Sequence, residues 1–318
     1  LDKTNIQKKA TAINIKQLIE KNQSSMSRSR IVEKLMPICL FAIALISILT
    51  TAGIILTLLF ETFEFFKAVS IIEFFTGTVL KPLSANPQFG VLPLLTGTLL
   101  SSLIAMFVAI PIGLMTAIFL SEYASARTRK VLKPILEILA GIPTIVYGFF
   151  AFTFVTPLLR MLIPSLEPTN ILSPGIVMGI MIIPIVASLS EDAMSSVPNS
   201  MREGALALGA TKLETTWKVI IPAALSGIIA SFVLGISRAI GETMIVTIAS
   251  GSSKNFTFDI TQSMQTMTAY IVEVTGGDAP AGSTLYYSLY AVAMTLFVFT
   301  FIMNLIAQYI SRKYREEY

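Results

Sequence analysis

The sequence predicts an all-α integral membrane protein with six membrane-crossing helices and both termini in the cytoplasm. Three observations predict it: an apolar excess, six runs of bilayer length, and a lopsided distribution of Lys and Arg. Of 318 residues, 54% are hydrophobic and 13% are charged, against roughly 25% charged in a soluble domain. Mean hydropathy is +0.75. A soluble surface must be wetted, and this composition has too few polar side chains to cover one. The same numbers exclude a disordered chain.

Residues 1–35 form a polar tail. Ile6, Ala10, Ile13 and Leu18 fall roughly on one face, as an interfacial helix would require. Beyond Asn22 the tail turns rich in Ser and Arg, which predicts a flexible stretch. The apolar body then runs from 36 to 318. A span needs about 20 apolar residues to cross the hydrocarbon. The candidates are Met36–Phe60, Leu94–Leu120, Pro134–Pro157, Ser173–Leu189, Ala223–Ser250 and Leu285–Ile310. The first is too long, and follows too long a polar tail, for a cleaved leader. It holds the single cysteine, Cys39, so no intrachain disulfide can form and the thiol reads as packing. Between the first two spans lie Phe63, Phe65, Phe66, Phe74, Phe75 and Phe89, expected along the outer interface. Gly and Pro interrupt the third and fourth spans (Gly141, Pro143, Gly148; Pro174, Gly175, Gly179, Pro184), which bilayer helices tolerate when neighbours or a cavity satisfy the freed backbone. Thr144 and Tyr147, beside the break at Gly141-Ile142-Pro143, are a secondary lead to a pathway. Glu137 opens the third span and is expected to snorkel.

Orientation follows from the basic residues. With the N-terminus inside, segments 1–35, 121–133, 190–222 and 311–318 carry 18 Lys and Arg, and the opposite side carries 4. The one remaining, Arg238, lies inside a span. The net charge of +4 therefore describes a rim facing anionic lipid. No nucleic-acid motif is present. Histidine is absent, which removes Ser-His-Asp and Cys-His nucleophile systems, HExxH zinc sites and His proton shuttles. No catalytic set, metal site or cofactor is expected.

The loop at about 190–222 is the most informative on the basic side. Ser200-Met201-Arg202-Glu203 and Thr211-Lys212-Leu213-Glu214 both have the form of a capping box, predicting two helix starts. Gly209 lies between them, where a left-handed cap would end the first helix. Ala205, Leu206, Leu208, Leu213 and Trp217 supply an apolar face, either for a partner or for the chain's own bundle. Pro222 then opens the fifth span, where no amide hydrogen is required. Gly204 and Gly209 have the spacing of a phosphate-binding loop, but Ala210-Thr211 stands where Lys-Ser/Thr is needed. The chain itself hydrolyses no ATP on this reading. Glu191 and Asp192 close the fourth span, as partner contacts or as helix caps.

Within the fifth span, Arg238 and Glu242 are four residues apart, which on a continuous helix puts both on one face. Charges at that depth cost at least a few kcal/mol unless paired or hydrated, so a functional site is the default. Either the pair clamps subunits together, or Arg238 presents its fork to an oxyanion and Glu242 holds the fork in place.

Two resemblances now become visible. Glu203-Gly204-Ala205, three residues, Gly209, nine residues and Val219-Ile220-Ile221-Pro222 resemble the EAA loop of ABC-importer permeases, departing at Gly204, Val219 and Ile221. The resemblance implies that Glu203, Gly204, Ala205, Ala207, Leu208, Gly209 and Pro222 dock on an ATPase subunit. Arg238-Ala239-Ile240-Gly241-Glu242-Thr243 is similar to a signature of phosphate-specific ABC-importer permeases. Phe74-Phe75-Thr76-Gly77, Pro93 with Thr98-Leu99, Pro111 with Ile118-Phe119-Leu120 and Glu122, and Gly141-Ile142-Pro143 through Tyr147-Gly148 agree with it. Met244-Ile245-Val246 after Gly-Glu-Thr resembles the C-type rather than the A-type subunit.

The family implies a type I ABC importer permease fold in the cell membrane, and half of a phosphate pathway with Arg238, Glu242 and Thr243 along it. It implies no cofactor. The partners it implies are an A-type permease, an ABC ATPase dimer, an extracytoplasmic phosphate-binding protein and the lipid bilayer. The Phe-rich connector would belong to the binding-protein platform. A permease for another oxyanion or polar solute is the alternative. An ion-coupled carrier would need inverted repeats and acids in both halves, and neither is found.

Overall fold

The structure, a computed structural model, describes residues 3–277 and 279–313, and the side chains of residue 33 and of residues 35–310 other than 278. The face of Ile6, Ala10, Ile13 and Leu18 lies outside those side chains. The chain divides into two compact units, Leu1–Thr57 and Leu58–Tyr318.

The first unit is one helix, the start of α1 (Lys3–Ala68). It runs unbroken through the Ser/Arg stretch expected to be flexible. No Gly or Pro occurs before Pro37, and Lys, Arg, Met and Glu are good helix formers.

The second unit holds everything else. The end of α1 is followed by α2 (Ile71–Thr76) and a two-stranded antiparallel hairpin, β1 (Leu80–Lys81) with β2 (Gln88–Phe89), in register Leu80 to Phe89. Helix α3 (Leu92–Ile118) runs into a π-helical turn, Phe119–Tyr123. Then come α4 (Ala126–Gly141), α5 (Thr144–Phe150), a π turn at Ala151–Val155, α6 (Thr156–Leu162) and α7 (Leu172–Ser195). The loop carries α8 (Asn199–Ala207), α9 (Lys212–Thr215), a π turn at Thr216–Ile220 and α10 (Ile221–Ala223). Last are α11 (Leu225–Ile240), α12 (Met244–Ala249), α13 (Met267–Gly276) and α14 (Thr284–Lys313).

Helix α7 is the centre, packed on α3, α4, α5, α11 and α12. Its most apolar window is 61% buried against 33% for α3 and 11% for α14, so α7 alone is enclosed by protein. The core around it joins Ala105, Met106, Tyr147, Met178, Met181, Ile182, Ala239 and Ile245. A second core binds the hairpin and α13 to α14. Phe65, Phe74 and Phe89 are buried there with Met267, Tyr270 and Val292, their rings edge to face at 5.4 Å. The Phe-rich connector is thus largely interior; Phe63 and Phe75 remain exposed. A third core, Ala117, Met194, Val197, Ile220, Ala224 and Ile228, ties the ends of α3 and α7 to the loop.

Among the described residues five helices are long and apolar enough to cross a membrane: Leu35–Ala68, Leu92–Tyr123, Thr144–Leu162, Leu172–Ser195 and Thr284–Ile310. The third span starts ten residues later than the sequence suggests. Helix α4 is a separate amphipathic element that buries no residue, and Glu137 belongs to it. Pro143 ends that helix, because the residue before a proline avoids the α region; Ile142 has ψ 128°. The expected fifth span divides. Lys212–Ala223 and Leu225–Ile240 meet at a 71° bend, and α11 stops at Gly241. Sixteen residues at 1.5 Å each make about 24 Å, short of the bilayer core.

Candidate functional site

Two regions carry the predicted residues. The first is the loop between α7 and α11. Helix α8 starts at Asn199 with Pro198 as its N-cap and no side-chain cap. The capping box read at Ser200 and Glu203 is therefore absent: Pro198 starts the helix earlier, and Ser200 already lies in its first turn. The end is as the sequence suggests. Gly209 has φ +87°. The Gly209 amide donates to the Leu206 carbonyl at 3.0 Å and the Ala210 amide to that of Ala205 at 3.1 Å, the two bonds of a Schellman cap. An added Cβ at Gly209 would meet nothing within 4 Å, so the dihedral alone demands glycine.

The second capping box exists in full. Thr211 Oγ1 accepts from the Glu214 amide, and Glu214 Oε2 accepts from the Thr211 amide at 3.0 Å. The Thr211 amide first, then the Thr211 hydroxyl, which donates to Glu214 Oε2 at 2.9 Å, and then Lys218 hold the Glu214 carboxyl below its ordinary pKa.

The apolar face of the loop points outward. Leu208 is 91% exposed, and Leu206, Leu213 and Trp217 are also exposed. Glu203, Gly204 and Ala207 are exposed, and Ala205 is half-buried. These side chains do not pack on the chain's own bundle. Pro222 lies in α10, before the 71° bend, rather than at the start of the span.

The ends of α3, α4 and α7 meet beside this loop in a charged cluster that the sequence did not reveal. Glu191 is 1% exposed; Lys133 pairs with it and Arg129 Nε lies 3.8 Å away. Glu191 raises the Lys133 ammonium above its ordinary pKa. Glu191 is thus neither an exposed partner contact nor a helix cap, whereas Asp192 is exposed, 3.5 Å from Lys133. Arg129 donates to the Leu120 and Ser121 carbonyls in the π turn. Arg202 reaches Glu122 across 80 positions of sequence. Arg202 stands beside Glu203, but no periodicity or spacing links it to Glu122.

The second region is the break after α11. Helix α11 ends at Ile240, and Gly241-Glu242-Thr243 is unwound before α12. Arg238 and Glu242 therefore do not share a helical face, since the break turns the carboxylate away. Glu242 is 8% exposed, and its Oε1 accepts from the amides of Met244 (3.1 Å) and Ile245 (3.4 Å). The carboxylate satisfies the first amides of α12, groups with no partner within the helix. Thr268 Oγ1 donates to the Glu242 carbonyl at 2.7 Å, and Thr243 Oγ1 to that of Gly241 at 3.2 Å.

Arg238 is exposed and forms no ion pair among the described residues. Its Nη2 lies 3.8 Å from Met181 Sδ. Among the described residues no ion pair joins Arg238 to Glu242 within the chain, and the guanidinium is open. At the other break, the Tyr147 hydroxyl donates to the Leu139 carbonyl at 2.8 Å, bridging Gly141–Pro143.

The profile of the family "Binding-protein-dependent transport system inner membrane component" matches residues 109–316. The chain is 35% identical over 274 residues to the probable ABC transporter permease protein YqgH of Bacillus subtilis, covering 86% of this chain and 88% of that one. It is 33% identical over 285 residues to the probable phosphate transport system permease protein PstC of Methanocaldococcus jannaschii, covering 82% and 90%. With the phosphate transport system permease protein PstC of Haemophilus influenzae it shares 30% over 296 residues, covering 86% and 91%. Among solved structures, a bacterial ABC transporter involved in import of the acidic polysaccharide alginate aligns with a TM-score of 0.61 at 16% identity, over 86% of this chain and 95% of that one. The inward-facing MetNI methionine ABC transporter aligns at 0.53 and 16%, over 71% and 95%. These two carry the fold.

Proposed function

The chain belongs to the binding-protein-dependent transport system inner membrane components, as a multi-pass permease subunit of an ABC importer, and from that premise we propose that its cargo is inorganic phosphate. The observation that carries the cargo is Arg238. An exposed guanidinium with no carboxylate partner among the described residues, deep in a membrane chain, costs several kcal/mol unless water or an anion meets it. Its planar donors match a tetrahedral oxyanion in two-pronged fashion. The relatives of 30–33% identity named as phosphate permeases support the same reading.

Glu242 and Thr243 act here as the frame of the break. The carboxylate holds the start of α12 and leaves the guanidinium free for the ion. The loop is the coupling element. Glu203, Gly204, Ala205, Ala207, Leu208 and Gly209 meet the ATPase on the cytoplasmic side, and Pro222 with the bend after it passes the motion to α11. The termini and the basic rim lie in the cytoplasm. An A-type permease, an ATPase dimer and an extracytoplasmic phosphate-binding protein complete the assembly. This chain is its non-catalytic part, and closure of the motor shifts the pathway between inward- and outward-open populations.

Labelled-phosphate uptake into vesicles bearing the assembled complex tests the reading. Arg238→Gln and Arg238→Lys abolish or cripple uptake while the subunits copurify. Adding Glu242→Gln to Arg238→Gln does not restore uptake, because the two side chains hold separate partners. Uptake that survives Arg238→Gln in a complete complex removes the residue from the pathway. The similarity to YqgH, whose name carries no cargo, leaves another oxyanion as the second reading. Uptake of sulfate in preference to phosphate would establish it.

A further inference from the structure

Helix α8 poses a problem of anchorage. It buries none of its residues, so hydrophobic burial does little to set its angle. A cavity of about 410 Å³, lined by Ser121, Glu122, Arg129, Arg202, Lys212 and Thr215 among others, lies between it and the π turn after α3. A helix with so little packing has no fixed direction unless polar bonds supply one. A motor that pushes on it would then tilt it in place rather than move the membrane helices.

Arg202 supplies those bonds. Its Nε and Nη2 donate to Glu122 Oε1 at 3.3 and 3.1 Å. Its Nη1 donates to the Val197 carbonyl at 2.5 Å and to Asn199 Oδ1 at 3.2 Å. Its Nη2 also donates to the Met194 carbonyl at 2.6 Å. Five bonds match the five N–H groups of a guanidinium. The acceptors belong to three elements: the π turn ending α3, the carbonyl end of α7, and α8 with the turn before it. The side chain is 18% exposed and Glu122 7%, so water competes weakly. A cation at the carbonyl end of α7 also meets the negative pole of that helix. The half-buried Met201 is the main apolar contact alongside.

We propose that Arg202 is the positioning residue of energy coupling: it joins the docking helix rigidly to the ends of α3 and α7, so that displacement of α8 becomes displacement of the membrane helices. The proposal rests on the reading of the loop as the coupling element. It assigns to Arg202 no contact with ATP, the ATPase or the transported ion. Lysine keeps the charge but offers three donors from one atom, and cannot reach Glu122, Met194 and Val197 in the same arrangement.

The test uses the whole complex reconstituted in vesicles, with ATP hydrolysis and phosphate uptake measured on the same preparation. Arg202→Lys is expected to lower phosphate imported per ATP hydrolysed about tenfold, the scale of losing one or two charge-assisted bonds. Glu122→Gln keeps an acceptor oxygen at Oε1 and is expected to fall only about twofold to threefold. Spin labels on Ser200→Cys and Arg127→Cys in a Cys39→Ser background read the position of α8 directly. Their distance distribution should broaden in Arg202→Lys, whether or not the ATPase stays bound.

An unchanged distribution, or an unchanged ratio of uptake to hydrolysis, overturns the proposal. Gly209→Val is the control for the underlying reading. If it leaves coupling intact, the loop is not the coupling element. If it uncouples transport while Arg202→Lys does not, only the role of Arg202 fails.

Discussion

The chain stops a helix at Gly209 and again at Gly241, and it treats the loose ends in different ways. At Gly209 the ends are satisfied locally, by a Schellman cap on one side and a capping box on the other, and the surrounding side chains face outward. At Gly241–Thr243 one end is satisfied by a carboxylate of the break itself and the other by a group from elsewhere in the fold. The Glu242 carboxylate covers the start of α12, and a hydroxyl from α13 takes the Glu242 carbonyl. The turn at Gly209 thus needs no partner from the core to keep its shape, whereas the break holds its shape only while α12 and α13 stay packed. Surface structure made of caps suits a part that transmits motion. The deep break adds to its local cap a bond from another helix, so its shape depends on the packing of α13.

The largest expected effect lies beside the deep region. A Cβ on Gly97 would stand 2.4 Å from the Gln265 carbonyl oxygen, a backbone atom that cannot rotate aside. The neighbouring Met267 amide donates to Thr98 Oγ1 at 3.0 Å, fixing the same approach. Gly97→Ala should cost about 1–3 kcal/mol by overpacking. A fall in the thermal unfolding midpoint of the purified complex measures it. An unchanged midpoint would mean that the segment before α13 yields freely, and the contrast with the loop would collapse.

Next comes Gly209→Val. Nothing crowds that position, but a left-handed backbone costs an L-residue about 1–2 kcal/mol, and a β-branched one is poorly tolerated there. The chain should insert and the membrane helices should pack, while stimulation or retention of the ATPase fails. Normal substrate-stimulated hydrolysis would remove the turn from the mechanism. Together the two glycine variants sharpen the comparison, since one should strain the buried approach of the segment before α13 and the other only the turn of the loop.

The smallest effect is a titration. Because the folded Glu214 carboxyl lies below its ordinary value of 4.5, the capping box contributes stability that is fully present above that value. It is lost as pH falls through the lowered one. Exposed as it is, the group should move loop order slightly and global unfolding not at all. Spin-label mobility at α9 followed from pH 6 downward, at intervals of about half a unit, reads it. Thr211→Val should bring the loss to higher pH. An α9 that loosens already near pH 6 would contradict the assignment.

Much of this was legible in the residues themselves. The cap at Gly209, the box at Thr211–Glu214 and the presence of an apolar face on the loop depend on neighbours within a few positions, and such patterns survive in sequence. Four of the six predicted spans match helices closely, because hydrocarbon selects composition and length before any packing occurs. The failures have a common cause. Arg238 and Glu242 looked paired because helical spacing was assumed to continue through Gly241. The third span was placed early because apolar residues of α4 were counted into the membrane, although its Arg129 and Lys133 serve Glu191. Phe65, Phe74 and Phe89 looked interfacial because nothing local announces the core that encloses them.

By itself, then, the sequence determined the membrane class, the number of apolar runs, the asymmetry of the basic rim and the local shape of the loop. Each follows from solvent transfer or from bonds within one turn of chain. Only the tertiary structure decided where helices α4 and α11 stop, which groups satisfy Glu242 and Glu191, and that Arg202 belongs to Glu122. Those outcomes depend on donors and acceptors from separate helices meeting at one point, and a buried polar group takes whichever partner the fold brings within reach.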